Sequence, residues 1–216
     1  MKYLLIITLL VASLWGGALL NSVHFEEGLQ AAQHGDYKTA LKQWKPLAEQ
    51  GYSAAQFNLA LMYAKGIGVK QNYKEAVKWY KKAAKQGDSE AQLNLGNMYD
   101  KGMGLKQNHK EAVKWYTKAA KQGNATAQYN LGNIYKKGMG VKQDYKEAVK
   151  WYTKAAEQGY VYAQVNLGTM YYHGQGVSQD KRKAYKWWKK AAKQGDSTAQ
   201  DNLANLCFIS PWACKQ

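Results

Sequence analysis

Residues 88–123 read DSEAQLNLGNMYDKGMGLKQNHKEAVKWYTKAAKQG, and close variants of this text stand at 52–87, 124–159 and 160–195. The first half places Ala91, Leu95 and Tyr99 at i, i+4 and i+8, with Gln92 and Gly96 in the adjacent row. That spacing predicts a helix with one buried face. Gly102 marks its end, because glycine accepts the left-handed turn that stops a helix. The second half puts Ala112, Tyr116, Ala119 and Ala120 on one face, flanked by Val113 and Trp115, with lysines over much of the remainder. It predicts a second helix that starts at Asn108 with Glu111 three residues on, a capping-box pair. Asn72 with Glu75 and Asp144 with Glu147 repeat the pair, whereas in the last copy Asp180 is followed by Lys183.

Glycine punctuates the period at Gly51, Gly87, Gly123, Gly159 and Gly195. Neither helix of a unit can bury its apolar face alone, so the units must stack. The fold class follows: all-α, a solenoid of stacked antiparallel helix pairs, read as one continuous domain. Gly96, Gly132 and Gly168 fall mid-helix, where glycine costs about 1 kcal/mol relative to alanine; close helix approach is the expected reason. Ala60 and Ala204 fill the same slot in flanking units. Residues 19–51 predict a capping helix pair with a short turn at Gly35-Asp36 in place of the G-x-G loop. Residues 196–216 predict a lone capping helix and a cysteine tail.

The two ends speak to compartment. Residues 1–18 join Lys2 to an apolar run, with Gly16 and Ala18 as small residues for cleavage. A secretory signal peptide and an uncleaved anchor are both compatible with this segment. Export is the expectation, to periplasm, cell surface or medium, with a processed chain starting near Leu19. Cys207 and Cys214 are the chain's two cysteines. In an exported protein such a pair is most simply a disulfide, two free thiols being the alternative. Formal net charge is +16, which points to anionic partners such as an envelope surface. Export argues against nucleic acid.

The motif A-Q-x-N-L-G-x-M-Y-x-x-G-x-G-V followed by D-Y-x-E-A-V-x-W-Y-x-K-A-A-x-Q-G resembles the Sel-one-like repeat family, relatives of tetratricopeptide repeats. Residues 124–159 carry it through Ala127, Gln128, Asn130, Leu131, Gly132, Tyr135, Gly138, Gly140, Ala148, Trp151, Tyr152, Ala155, Ala156 and Gly159. Residues 19–51 look more like an ordinary tetratricopeptide unit. The resemblance implies a right-handed superhelix with a concave face and a scaffold or adaptor role. A cysteine-rich branch of the family binds penicillins and is linked to weak β-lactamase activity. That branch carries cysteines in each repeat, and this chain carries none there.

No catalytic constellation, metal set or cofactor site is read from the residues. Ser178 and Lys181 match the S-x-x-K string of serine β-lactamases, but no S-D-N or K-T-G follows. Gly66-Ile67-Gly68 and its copies lack the strand and third glycine of a phosphate cradle. His24, His34, His109 and His173 are not paired at metal-ligand spacing. Trp79-Tyr80, Trp115-Tyr116, Trp151-Tyr152 and Trp187-Trp188 are expected to pack between units. Lys78, Lys81, Lys82 and Lys85, with their counterparts, predict a convex basic stripe.

Three columns vary among otherwise similar units: Phe57, Leu93, Tyr129, Val165 and Asp201; Leu61, Asn97, Asn133, Thr169 and Asn205; Ala64, Asp100, Lys136 and Tyr172. In the tetratricopeptide pattern these positions face the concave surface. Phe57, Leu61, Leu93, Asn97, Tyr129, Asn133, Tyr162, Val165, Thr169 and Tyr172 are therefore the candidate binding surface for a protein or peptide. The alternatives are a β-lactam-interacting enzyme and an electrostatic binder of anionic envelope components.

Overall fold

The computed structural model describes residues 21–215. The apolar segment 1–18 and the expected processing site near Leu19 lie outside the described residues. Helix α1 spans 21–33. It is followed by α2 (Tyr37–Glu49), α3 (Ser53–Lys65), α4 (Tyr73–Lys85), α5 (Ser89–Lys101), α6 (His109–Lys121), α7 (Ala125–Lys137), α8 (Tyr145–Glu157), α9 (Val161–His173), α10 (Lys181–Lys193), α11 (Ser197–Ile209) and α12 (Pro211–Cys214). Among the described residues there is no strand, and none of the helices is long and apolar enough to cross a membrane. The chain divides into two compact units. One runs to Ala91 and takes in Met103–Leu105; the other comprises Gln92–Gly102 and the chain from Lys106 onward. A division of this kind suits a repeat array, where each element packs only on its neighbours.

The loop inside each pair is built from glycine and glutamine. In the 124–159 copy, Gly138 (φ +73°) ends α7 and its N–H returns to the Ile134 carbonyl at 2.8 Å. Gly140 (φ +71°) then lies against the start of α6, where an added Cβ would come within 2.7 Å of the His109 backbone. Gln143 closes the turn by donating to the Lys136 carbonyl at 2.8 Å, as Gln71, Gln107 and Gln179 do to Ala64, Asp100 and Tyr172. The G-x-G element is thus a turn pressed on backbone.

The second helix of each pair is capped by half of the expected box. Asn108 accepts from the Glu111 N–H at 3.1 Å, and Asn72, Asp144 and Asp180 act alike. The returning glutamate bond is replaced. The N–H groups of Asn72, Asn108, Asp144 and Asp180 donate instead to the carbonyls of Tyr63, Tyr99, Tyr135 and Tyr171 at 2.8–2.9 Å. With that donor satisfied, Glu75, Glu111 and Glu147 turn outward and pair with Lys78, Lys114 and Lys150.

Packing explains the mid-helix glycines. A Cβ on Gly96, Gly132 or Gly168 would stand 2.5–2.6 Å from the ring of Tyr116, Tyr152 or Trp188 respectively. Gly28 meets Trp44 in the same way in the opening pair. Each glycine is a seat for an aromatic ring of the facing helix, and the contact offsets its helical cost. A second device is a buried glutamine. Gln56, Gln128 and Gln164 donate to the carbonyls of Ala48, Ala120 and Ala156 at 3.0–3.1 Å. Their side-chain oxygens accept from Gln86, Gln158 and Gln194 at 2.7–2.9 Å. An amide buried without such partners would cost about 1–3 kcal/mol, which is why Gln recurs in A-Q-x-N-L.

The tryptophan–tyrosine doublets divide their labour, which refines the expectation that both rings pack between units. Tyr80, Tyr116 and Tyr152 are the fully buried members. The tryptophans lie nearer the outer face under lysine ammonium groups: Lys82 over Trp79 (4.3 Å), Lys118 over Trp115 (4.5 Å), Lys154 over Trp151 (5.0 Å) and Lys190 over Trp187 (4.3 Å). Trp115 is half-buried. The i, i+3 spacing places each ammonium above its ring.

Candidate interaction surface

Side chains of α7 and α9 in the second unit form a tyrosine cluster. Tyr129 sits 6.0 Å from Tyr152, 5.2 Å from Tyr160 and 6.2 Å from Tyr162, and the last two rings are 5.9 Å apart. Tyr152 is the ring seated on Gly132, so the cluster rests on the core. Tyr162 stands at its outer edge with 60% of its surface exposed. Tyr160, like Tyr52 in the first repeat, occupies the cap position that Asp88, Asn124 and Asp196 hold in the others. Asn124 and Asp196 accept a helix-starting N–H there, whereas Tyr160 makes no side-chain cap bond. Loss of such a cap costs about 1 kcal/mol. Partial burial pushes the Tyr160 phenol above the ordinary tyrosine range.

A cleft of about 230 Å³ lies where α9 meets α10 and α11. Thr169, Tyr172, His173 and Trp188 form one wall, with Asn202, Asn205 and Leu206 opposite. Tyr172 lies 4.9 Å from the His173 ring and 5.5 Å from Trp188. Aromatic rings beside amide groups suit binding of a peptide segment, with apolar contact and backbone hydrogen bonds side by side.

The structure therefore brings together Tyr129 with Tyr162, and Thr169 with Tyr172. Phe57 and Leu61 are half-buried in the first unit, with Phe57 5.9 Å from Tyr80. Two positions need correction: Leu93 and Val165 are only 7% and 9% exposed, so neither offers an apolar anchor. Leu93 packs with Ala112, Tyr116 and Leu131. Val165 packs with Ala184 and Trp188, and its carbonyl accepts the Trp188 indole N–H at 3.1 Å.

Asn97 and Asn133 are corrected as well, because each side chain is committed to a partner inside the stack. Their side-chain oxygens accept the Tyr116 and Tyr152 hydroxyls, each at 2.7 Å. Burial pushes both phenols well above the tyrosine range, so they remain donors. Where Trp188 replaces the tyrosine, no hydroxyl needs a partner and Thr169 stands in place of asparagine. Asp100, in the third column, accepts from or pairs with His109 at 2.8 Å.

Tyr160, His173, Trp188 and Asn202 were missed from sequence. The legible signal for Tyr160 was an aromatic ring at a cap position. For catalysis the geometry offers little. Ser178 is exposed, and the Lys181 ammonium donates to Ser210, at 2.9 Å. Among the described residues no three His, Cys, Asp or Glu side chains are grouped to hold a metal. Cys207 and Cys214 form a disulfide, with Cα atoms 5.7 Å apart.

A protein-family model described as Sel1 repeat matches residues 53–88, 89–124, 125–160 and 161–196. No match was found among curated proteins. Among solved structures, the chain is similar to c5321, a protective antigen of uropathogenic Escherichia coli displaying an SLR fold. The identity is 40% and the TM-score 0.85, over 88% of this chain and 41% of that one. The chain thus spans less than half the length of that antigen. It is also similar to a Sel1 repeat protein from Oxalobacter formigenes (40% identity, TM-score 0.79, 84% of this chain and 74% of that one). Cysteine-rich protein B of Helicobacter pylori is more distant, at 27% identity and TM-score 0.50 over 62% of this chain and 97% of that one. Four consecutive matched repeats, on helix pairs packed like those of the solved relatives, make the chain a member of the Sel1 repeat family, whose arrays are typically protein-interaction scaffolds.

Proposed function

We propose that the protein is an exported scaffold that captures a polypeptide segment on the tyrosine cluster and neighbouring cleft of its second unit. The observation that carries this reading is Tyr162, an exposed ring held by Tyr129 and Tyr160, one of which forgoes a helix cap. Tyrosine supplies large contact area at small entropic cost and is enriched among residues that dominate interface energy. Export is supported by the apolar segment at residues 1–18 and by the disulfide, which belongs to an oxidising compartment. The description of the Escherichia coli relative as a protective antigen agrees with it.

The test is site-specific photo-crosslinking from position 162 in envelope extract, combined with Tyr129→Ala/Tyr162→Ala. A discrete adduct is expected, and the double variant should weaken capture about a thousandfold, two anchors at ~2 kcal/mol each. Capture unchanged by the double variant, with its circular dichroism intact, would remove this surface from consideration.

A further inference from the structure

The geometry points to a second surface: we propose that α10 and the disulfide-closed loop 207–214 dock on the surface of an anionic phospholipid bilayer. This goes beyond the polypeptide-binding reading and rests on other side chains, although Trp188 of that reading's cleft also lies in α10.

Charge is the first observation. Lys181–Lys193 contains six lysines, one arginine and no acidic residue. In α4, α6 and α8 the first-turn glutamates neutralise Lys78, Lys114 and Lys150. At the same place α10 has Lys183, which pairs with Asp180 at 3.7 Å, so Lys186 lacks the first-turn carboxylate that its counterparts have. Arg182, Lys186, Lys189, Lys193 and Lys215 line a cleft of about 530 Å³ together with Tyr185. The other repeats have valine at the Tyr185 position, Val77, Val113 and Val149.

The second observation is apolar and independent. Phe208, Ile209 and Trp212 are 86%, 50% and 53% exposed. All three lie in the short loop between the disulfide partners. Ile209 stands where the four preceding first helices end on Lys65, Lys101, Lys137 and His173. The loop is held to α10: Lys181 donates to Ser210, Ala213 lines the basic cleft, and the Arg182 guanidinium lies 5.8 Å from the Trp212 ring. Cations and exposed rings are therefore parts of one surface, with its loop ordered in advance.

Charge complementarity selects the occupant. A second copy of α10 would repel this one. An acidic polypeptide would satisfy the lysines and leave Phe208, Ile209 and Trp212 in water. A bilayer with phosphate-bearing anionic headgroups meets both needs, because cations sit at the headgroup level while aromatic and aliphatic side chains enter the acyl boundary.

The experiment is flotation of the full chain with vesicles of phosphatidylglycerol in phosphatidylcholine, and of phosphatidylcholine alone. Every variant shares residues 1–18, so differences report on the C-terminal surface. Binding is expected to favour the anionic vesicles by at least about tenfold and to fall with salt. Lys186→Glu/Lys193→Glu should cut anionic binding by about two orders of magnitude or more, on the scale of a headgroup attraction lost and reversed at each site. Phe208→Ser/Trp212→Ser should weaken it by about tenfold or more with the salt dependence retained. The equivalent reversal Lys78→Glu/Lys114→Glu should change binding by less than about threefold beyond the general loss of charge. Equal binding to both vesicles overturns the proposal, as does an equal loss from the α4 and α6 reversals. Binding of polyglutamate in place of vesicles would assign the surface to an acidic polypeptide and overturn it too. Melting curves establish that each variant is folded.

Discussion

Helices α8 and α10 fill the same place in successive repeats, and apart from Val149/Tyr185 and Tyr152/Trp188 they differ on the side that faces water. Both present alanines to the core, Ala148, Ala155 and Ala156 in one and Ala184 and Ala191 in the other, and both seat an aromatic ring on a glycine of the preceding helix. Outside, α8 carries Glu147 and Glu157 and pairs Lys150 with Glu147, whereas α10 carries cations alone. Shared packing constrains one face of each copy and leaves the other free. Divergence among repeats is therefore informative only after the residues that pack have been set aside.

The largest effect should come from the shared face. Tyr152→Ala empties the seat on Gly132 and strands the Asn133 oxygen, at an expected cost of about 3–5 kcal/mol in denaturant unfolding. Trp188→Ala should cost a similar amount. A loss below about 1 kcal/mol in either would mean that the ring-on-glycine contact does not hold the pairs together.

Alkaline pH separates the two helices next. Burial holds the phenols of Tyr80, Tyr116 and Tyr152 well above the ordinary tyrosine pKa, which is about 10. Their contribution is complete below that value. Above it the unfolded chain releases these protons while the folded chain keeps them, so stability falls as pH rises, by up to about 1.4 kcal/mol per phenol per pH unit. Trp188 does not titrate. Tyr152→Trp, which copies α10 into α8, should thus reduce the alkaline loss between pH values of about 9 and 11 by roughly a third. An unchanged alkaline profile would show that Tyr152 ionises freely in the folded protein.

The smallest effect concerns the outer faces. Glu147→Lys gives α8 the first-turn charge of α10, and Lys183→Glu does the reverse. Each should leave the melting temperature within about 2 °C, because exposed ion pairs contribute little. Lys183→Glu should nonetheless weaken binding to anionic vesicles. A large change in melting would show that these first-turn charges are structural.

Much of this protein was legible as text. The repeat period, the helix pairs, the turn glycines and the mid-helix seats follow from local stereochemistry and from apolar spacing that recurs four times. The cap residues Asn72, Asn108, Asp144 and Asp180 were legible for the same reason, since a cap acts within one helical turn. Partnership across the fold was not. Glu111 was expected to return to its own helix start, but the Tyr99 carbonyl had already taken that N–H. Asn97 and Asn133 read as free variation, yet each answers a tyrosine hydroxyl from the facing helix. Leu93 and Val165 read as surface, but neighbouring helices close over them. By itself the sequence determined the stacked all-α architecture, because every copy repeats the same short-range instructions. Only the tertiary structure decided which polar side chains are consumed inside the stack and which rings, Tyr162 and Trp212 among them, stay exposed. Burial and hydrogen-bond satisfaction depend on atoms brought together from different helices, such as Tyr116 and Asn97, 19 residues apart, and spacing along one helix does not encode them.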